Sequence, residues 1–199
     1  MTVLDATWYD RVMVEPGSPA MLPLDKSPWL PMYEVLASMI EPHEPVVDLG
    51  CGTGRFVELL LRNGHYAQIT GIDWSQAALN EARSYAQGRA MEREVEWVLQ
   101  DLAEWQPAEE RFGGTVYVCS EVMEHLEDDL ELVSRIPPGH RFLFTVPNYE
   151  SESHLRVFRG AGDVWTRYAG LLLVSRWQLI GEGNKAIHVC ATRRRSDSW

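Results

Sequence analysis

Cysteine is scarce in this chain, basic residues are outnumbered, and no long apolar run occurs. Each shortage removes a class of protein. The three cysteines of the 199 residues, Cys51, Cys119 and Cys190, have no metal-like spacing. Each falls within or beside an apparent strand, so buried thiols rather than a disulfide are expected. No apolar stretch approaches the ~18 residues of a membrane span, and the N-terminus lacks a charged-then-apolar leader. A soluble, cytoplasmic protein is the expectation. Lys and Arg number 18 against 29 Asp and Glu, a formal net charge of −11. That is a poor footprint for a nucleic acid, whose binders draw much of their affinity from phosphate neutralisation. Only Arg193, Arg194 and Arg195 and a few arginines between 156 and 176 offer basic character, and the triplet reads as a solvated terminus. The balance favours a small-molecule partner.

What the chain does have is concentrated in residues 46–54, Val-Val-Asp-Leu-Gly-Cys-Gly-Thr-Gly. A β-branched run ends in Asp48 and drops into glycines at alternate positions. This is the pattern of a buried strand feeding a tight loop whose backbone must come close to a ligand, since glycine has no Cβ and accepts positive φ. A helix over 55–63, closed by Gly64, follows at once, so free loop N–H groups are expected to face the ligand. The order Gly50, Gly52, Gly54 is not the G-x-G-x-x-G of a dinucleotide site, because Arg55 stands where the third glycine would be needed. No Gly-Lys-Ser/Thr follows, so a P-loop is also absent.

The length and the 45% hydrophobic content suit one domain with a proper core. Residues 1–26 read as an irregular arm, a possible lid, with Trp8, Tyr9 and Met21 available to pack. Ser27 before Pro28 reads as a helix start, with apolar residues at helical spacing to Ile40 and stops at Pro42 and Pro45. Strands are predicted at 46–48, 68–72, 94–99, 115–119 and 141–146. Helices are predicted after the first (55–63), after the second (capped by Ser75 and closed by Gly88) and, acidic, after the fourth through Leu132. An antiparallel hairpin over 171–180 and 186–192, turning at Gly181-Glu-Gly-Asn, closes the pattern. Alternating strands and helices imply an α/β fold, a mostly parallel sheet with helices on both faces.

The segment Asp-Leu-Gly-Cys-Gly-Thr-Gly closely resembles the first motif of the class I S-adenosylmethionine (SAM) methyltransferases. The terminal reversed hairpin also resembles theirs, and the likeness runs from about residue 27 to 192. It implies a Rossmann-like, seven-stranded mixed sheet and a single methyltransferase domain over 27–199. It also implies the site. Asp73, some twenty residues beyond the loop, would take the ribose hydroxyls, and Trp74 would lie against the adenine. Asp101 would receive the adenine amino group beside the Leu102 backbone. Asp48 would orient the loop and help hold the methionine amino group. Gly50, Cys51, Gly52 and Gly54 would admit the methionine part, and Ser120 would complete the floor.

A second constellation is Ser120-Glu121-Val122-Met123-Glu124-His125-Leu126. On a helix starting here, Glu121, Glu124 and His125 would share one face. Two carboxylates that close want a proton or a cation, and with an imidazole they form a set that Mg²⁺ or Mn²⁺ accepts. The Glu-x-x-Glu-His segment resembles ubiquinone-pathway O-methyltransferases, where the His lines the acceptor pocket. It is also similar to small-RNA 2′-O-methyltransferases, where it holds a metal with a further His. Here that His would be His154, after Val146-Pro147-Asn148. By the same resemblance Asn148, Tyr149, His154 and Arg156 are candidate acceptor contacts, as are Trp8 and Tyr9 of the arm and Trp29 just after it. His125 and Glu121 are the candidate catalytic groups. The leading reading is methyl transfer from SAM to an oxygen or nitrogen of a small molecule. The alternatives are a metal-dependent RNA 2′-O-methyltransferase, a non-catalytic SAM-binding module and, more distantly, a nicotinamide oxidoreductase.

Overall fold

The computed structural model describes residues 6–65, 67–87, 95–108, 114–183 and 185–196. Expectations for Gly88, Glu94 and Asn184 lie outside them. Seven strands form one mixed sheet in the order β3-β2-β1-β4-β5-β7-β6, the class I methyltransferase arrangement that the hairpin anticipated. The chain divides into two compact units, one running to Leu102 and the other starting at Ala103.

The first unit holds helix α1 (Ala6–Val14), two short 3₁₀ turns (Pro19–Met21 and Leu24–Lys26), α2 (Leu30–Ala37), β1 (Val46–Leu49), α3 (Arg55–Arg62), β2 (Ile69–Asp73), α4 (Gln76–Gln87) and β3 (Val95–Leu99). Its strands are parallel, Val46 against Ile69 and Ile69 against Val95. Leu49, Phe56, Leu60, Ile69, Leu79 and Ala82 are buried in its core. The alternate apolar positions of α3 and α4 supply that face because they recur at helical spacing. Ser75 caps α4 as expected, its hydroxyl accepting the Ala78 N–H at 3.1 Å.

Two expectations here need correction. The arm is not irregular: 6–14 is helical, and its Asp10 carboxylate accepts from the Ser75 hydroxyl (2.6 Å) and the Ala77 N–H (3.1 Å) at the start of α4. A tertiary cap of this kind leaves no local sequence signature. The helix read from Ser27 starts three residues later, at Leu30. Ser27 instead closes the preceding 3₁₀ turn and accepts the Trp29 N–H at 3.3 Å, and Pro31 sits in the first turn, where no N–H is required.

The second unit holds β4 (Val116–Ser120), α5 (Asp129–Arg135), β5 (Arg141–Pro147), α6 (Ala161–Tyr168), β6 (Leu172–Glu182) and β7 (Lys185–Arg194). β4 and β5 are parallel, and β7 lies antiparallel to both β5 and β6. Val116, Val118, Phe142, Phe144, Val189 and Cys190 fill the core, with Phe144 edge-on to Tyr168 of α6. All three cysteines are free and buried, as their strand positions implied.

The acidic helix expected directly after β4 is displaced. Glu121 takes a left-handed φ of +55°, residues 121–128 run as turns and bends, and α5 begins only at Asp129. The cause is Thr145 of β5. Its hydroxyl accepts the Glu121 N–H (2.9 Å) and donates to the Glu121 carboxylate (3.0 Å), holding the residue off the helical path.

Candidate active site

The glycine loop follows the carboxyl end of β1. Gly50, Gly52 and Gly54 all have positive φ, at 78°, 52° and 74°. Gly54 is doubly constrained, since a Cβ there would lie 2.8 Å from the Trp97 ring of β3 as well as requiring left-handed backbone. The loop N–H groups do not project freely, contrary to the expectation from sequence. Those of Gly50 and Cys51 donate to the Ile72 carbonyl (2.8 and 2.9 Å), that of Gly52 to Asp73 (2.8 Å) and that of Gly54 to the Cys51 carbonyl (2.9 Å).

Two carboxylates accompany the loop. Asp73, at the end of β2, accepts from Gly52 through one oxygen and from Ser75 (2.8 Å) through the other. Burial raises its pKa, and the backbone N–H groups partly counter that. Asp48 is buried, and neither of its oxygens has a hydrogen-bond partner among the described residues. Burial, and then the charge of Asp73, push it up to about 7. Cys51 is buried, and burial, followed by the charges of Asp73 and Asp48, lifts its thiol well above the usual range. Trp74 is half-buried against Tyr9 of α1, ring centroids 5.4 Å apart. Asp101 is exposed beyond β3, and Leu102 beside it is buried.

The arm closes on the same loop. The Thr53 hydroxyl donates to the Ala20 carbonyl at 2.7 Å. The Met13 methyl group lies 2.8 Å from where a Cβ on Gly52 would stand. Neither contact was legible in the sequence, because each joins residues more than thirty apart.

In the second unit, Ser120 is half-buried at the end of β4, and Glu121 to His125 follow it. Although 121–128 is not a helix, Glu124, His125 and His154 still meet, each with one ligand atom within 4.8 Å of the others. Glu121, expected on the same helix face, is not part of this group, and turns and a second loop bring the others together. The Leu155 N–H donates to the Glu124 carbonyl (2.8 Å), His125 Nδ1 pairs with the Ser153 carbonyl (2.9 Å) and His154 Nδ1 with the Tyr149 carbonyl (3.0 Å). A carbonyl can only accept, so both imidazoles carry the proton on Nδ1 and keep an Nε2 lone pair. His125 Nε2 lies 3.6 Å from Glu124 Oε1. Glu124 is fully buried, and neither oxygen has a hydrogen-bond partner among the described residues.

A buried carboxylate with no donor thus lies beside two imidazoles. Burial, and then the Glu121 charge, raise Glu124 well above the usual carboxylate range, and burial pushes Glu121 up to about 7. Burial lowers His125 to about 4 and also lowers His154, so both rings are neutral at physiological pH. Burial, and then the charges of Glu121 and Glu124, push Tyr149 up to about 12.

Arg156 and Asn148 are placed as struts. Arg156 donates to the carbonyls of Met123 (2.7 Å), Leu126 and Glu127 (3.1 Å), binding the turns that carry Glu124 and His125. Behind it the buried Asp129 lies 3.5 Å from Arg156 and accepts from Arg167 (2.7 Å) and the Tyr168 hydroxyl (2.7 Å). The Asn148 amide is taken up by the hairpin end, donating to the Gly183 carbonyl (3.0 Å) and accepting the Ala186 N–H (2.7 Å). Thr145 and Asp129, which hold this cluster, were missed by sequence reasoning. A Thr inside an apolar strand and an Asp at a helix start look unremarkable locally.

A glycine loop over paired carboxylates, in a sheet that ends on a reversed hairpin, defines a class I SAM-dependent methyltransferase fold. Residues 46–136, a little under half of the chain, match the methyltransferase domain family. It is 34% identical over 123 residues to a ubiquinone biosynthesis O-methyltransferase of Alkalilimnicola ehrlichii, covering 58% of this chain and 47% of that protein. It is also 34% identical over 134 residues to a trans-aconitate 2-methyltransferase of Delftia acidovorans, covering 65% and 48%. The chain therefore spans about half the length of these curated relatives. Among solved structures, the N-methyltransferase NodS of Bradyrhizobium japonicum, in complex with S-adenosylhomocysteine (SAH), superposes with a TM-score of 0.70 at 18% identity, covering 96% and 98% of the two chains. At that identity the likeness is one of fold.

Proposed function

We propose that the protein transfers the methyl group of SAM to an oxygen or nitrogen of a small-molecule acceptor, leaving SAH. The observation that carries this reading is the electrostatics of the glycine loop. Four of its N–H groups have acceptors within the protein, and two buried carboxylates, Asp48 and Asp73, adjoin it. A cofactor with a pyrophosphate wants free N–H groups and positive potential. This site instead favours a ligand carrying a sulfonium and an ammonium group. In it Asp73, whose oxygens each keep a further lone pair, takes the ribose, with Trp74 against the adenine. Asp101, with the Leu102 backbone, takes the adenine amino group. Asp48 faces the methionine ammonium, Gly50, Cys51, Gly52 and Gly54 admit the methionine chain, and Ser120 forms the floor. Residues 27–199 act as the methyltransferase domain. The arm, anchored through Asp10, Met13 and Ala20, serves as its lid.

The acidic net charge and the names of the two relatives, one from ubiquinone biosynthesis and one acting on trans-aconitate, support a small-molecule acceptor. Transfer from a sulfonium needs the acceptor held in line, and a hydroxyl or ammonium also needs a base. Glu121, tuned to about 7, suits proton acceptance better than His125 at about 4. His125, Tyr149 and His154 line the acceptor side, and Arg156 and Asn148 keep their loops in place.

Glu124, His125 and His154, with Glu121 adjoining, also fit Mg²⁺ or Mn²⁺, because a buried carboxylate without a donor and two imidazoles bring one ligand atom each within 4.8 Å of one another. Such an ion would make an acceptor hydroxyl more acidic. Titrating Mn²⁺ calorimetrically into SAH-saturated protein tests this: specific binding lost in Glu124→Ala is expected, and no heat would leave a metal-free pocket. SAH release with a panel of phenols, carboxylic acids and amines tests the reaction. SAM binding with no turnover on any of them, and no effect of His125→Ala, would favour a binding module.

A further inference from the structure

The geometry points to a homodimer in which the edge strand β6 pairs antiparallel with β6 of a second copy, about a two-fold axis at Leu179. β6 ends the strand order, paired on one side by β7 and by no other strand among the described residues. Natural edges are blunted by Lys, Pro or frequent charge. Here the eleven residues Leu-Leu-Val-Ser-Arg-Trp-Gln-Leu-Ile-Gly-Glu contain neither Lys nor Pro. Instead Leu173, Val174, Trp177 and Leu179 are 48, 46, 41 and 42% exposed, four of the six large apolar side chains exposed among the described residues.

What selects a second copy is the fit of the strand to itself. A bulge between Val174 and Arg176 interrupts the register, and from Arg176 to Glu182 the strand is regular. Leu179 is the midpoint of that stretch, and Arg176 and Glu182 are its two ends and its only charges. An isologous pairing centred there sets Arg176 opposite the partner's Glu182, twice over by symmetry. Gln178 falls opposite the partner's Ile180, and Trp177 opposite the partner's Gly181, which leaves room for the indole. Directly opposed residues project to the same side. Trp177 and Leu179 of both copies therefore form one apolar face, and the two ion pairs lie on the other. Trp177 is held ready for this: its indole N–H donates to His188 Nδ1 at 3.1 Å, and His188 Nε2 pairs with the Phe158 carbonyl at 2.8 Å.

Seven paired residues a side make a small interface, so the dissociation constant should be on the order of micromolar. Sedimentation velocity on the full chain should show a monomer–dimer equilibrium across that range. Leu179→Lys should weaken it by about tenfold or more. Arg176→Glu and Glu182→Arg should each weaken it by roughly tenfold, and the double reversal should restore it to within about threefold. The rescue also guards against a variant that merely misfolds. A chain that stays monomeric at high-micromolar concentration overturns the proposal, as does a dimer indifferent to these changes. Hydrogen exchange separates the remaining case. Outward β6 amides protected in a monomer would mean that another segment of the chain covers the edge, and would equally overturn it.

Discussion

The two units carry candidate functional clusters built on opposite plans. In the first unit the loop is defined by backbone: three positive-φ glycines within five residues, their N–H groups satisfied internally, and a carboxylate at each of two neighbouring strand ends. In the second the cluster is defined by side chains, Glu124, His125 and His154, which converge from two loops and leave the buried Glu124 carboxylate without a donor among the described residues. A backbone-defined site is written in contiguous sequence, because glycine adopts those conformations without a Cβ penalty. A side-chain-defined site depends on what holds the loops, here Thr145, Arg156 and Asp129. The contrast teaches that the glycine loop is rigid by construction, whereas the side-chain cluster stores unfavourable burial that a ligand or proton must relieve.

Substitutions can break that contrast, and the largest effect belongs to the glycine loop. Gly54→Ala forces left-handed backbone on alanine and drives its Cβ into Trp97. SAH affinity by calorimetry should fall by about a hundredfold or more. Trimming Trp97 to Leu should not rescue it, since the φ requirement remains. Next, Glu124→Gln should leave SAH affinity unchanged while methyl transfer falls by roughly a hundredfold. Without added metal its melting temperature should rise, because a buried carboxylate without a partner has been neutralised. A fall in melting temperature would mean that the carboxylate is already satisfied.

Arg156→Lys should cut turnover by about tenfold and leave SAH affinity alone, since an ammonium cannot span three carbonyls in the manner of a planar guanidinium. Asp48 gives a pH signature in the other half. Its folded pKa, about 7, lies above the ordinary 3.8, so the folded state binds the extra proton between those values. Stability conferred by that proton is present below pH 4 and lost as pH rises through 7. Asp48→Asn in ligand-free protein should therefore raise the melting temperature by roughly 5 °C at pH 8 and by almost nothing at pH 4. The smallest effect is expected for Asp10→Ala, which unlatches α1 from Ser75 and Ala77 and should speed SAH dissociation a few-fold.

Most of the sheet was legible in the sequence, because parallel strands buried on both sides read as short apolar runs between turn signals. The observed β1, β2, β4, β5 and the hairpin fall within a residue or two of expectation. What was not legible shares one cause. α1 acts through Asp10 at the start of a helix more than sixty residues away. Glu121 leaves the helical path for Thr145 of β5, and Asn148 and Arg156 look like acceptor ligands until their partners, a hairpin turn and three carbonyls, are in place. In each instance a long-range hydrogen bond overrode a local pattern. The Glu124–His125–His154 meeting survived the loss of its helix because the backbone bond from Leu155 to Glu124 fixes the two loops directly.

The measurement that bears most directly on this division of labour is a calorimetric titration of SAH into the wild-type chain and into a Glu121→Gln/Glu124→Gln double variant. One-to-one binding with a micromolar constant is expected for both, with turnover lost only in the variant. No binding to the wild type, or binding abolished by changes confined to the second unit, would contradict it.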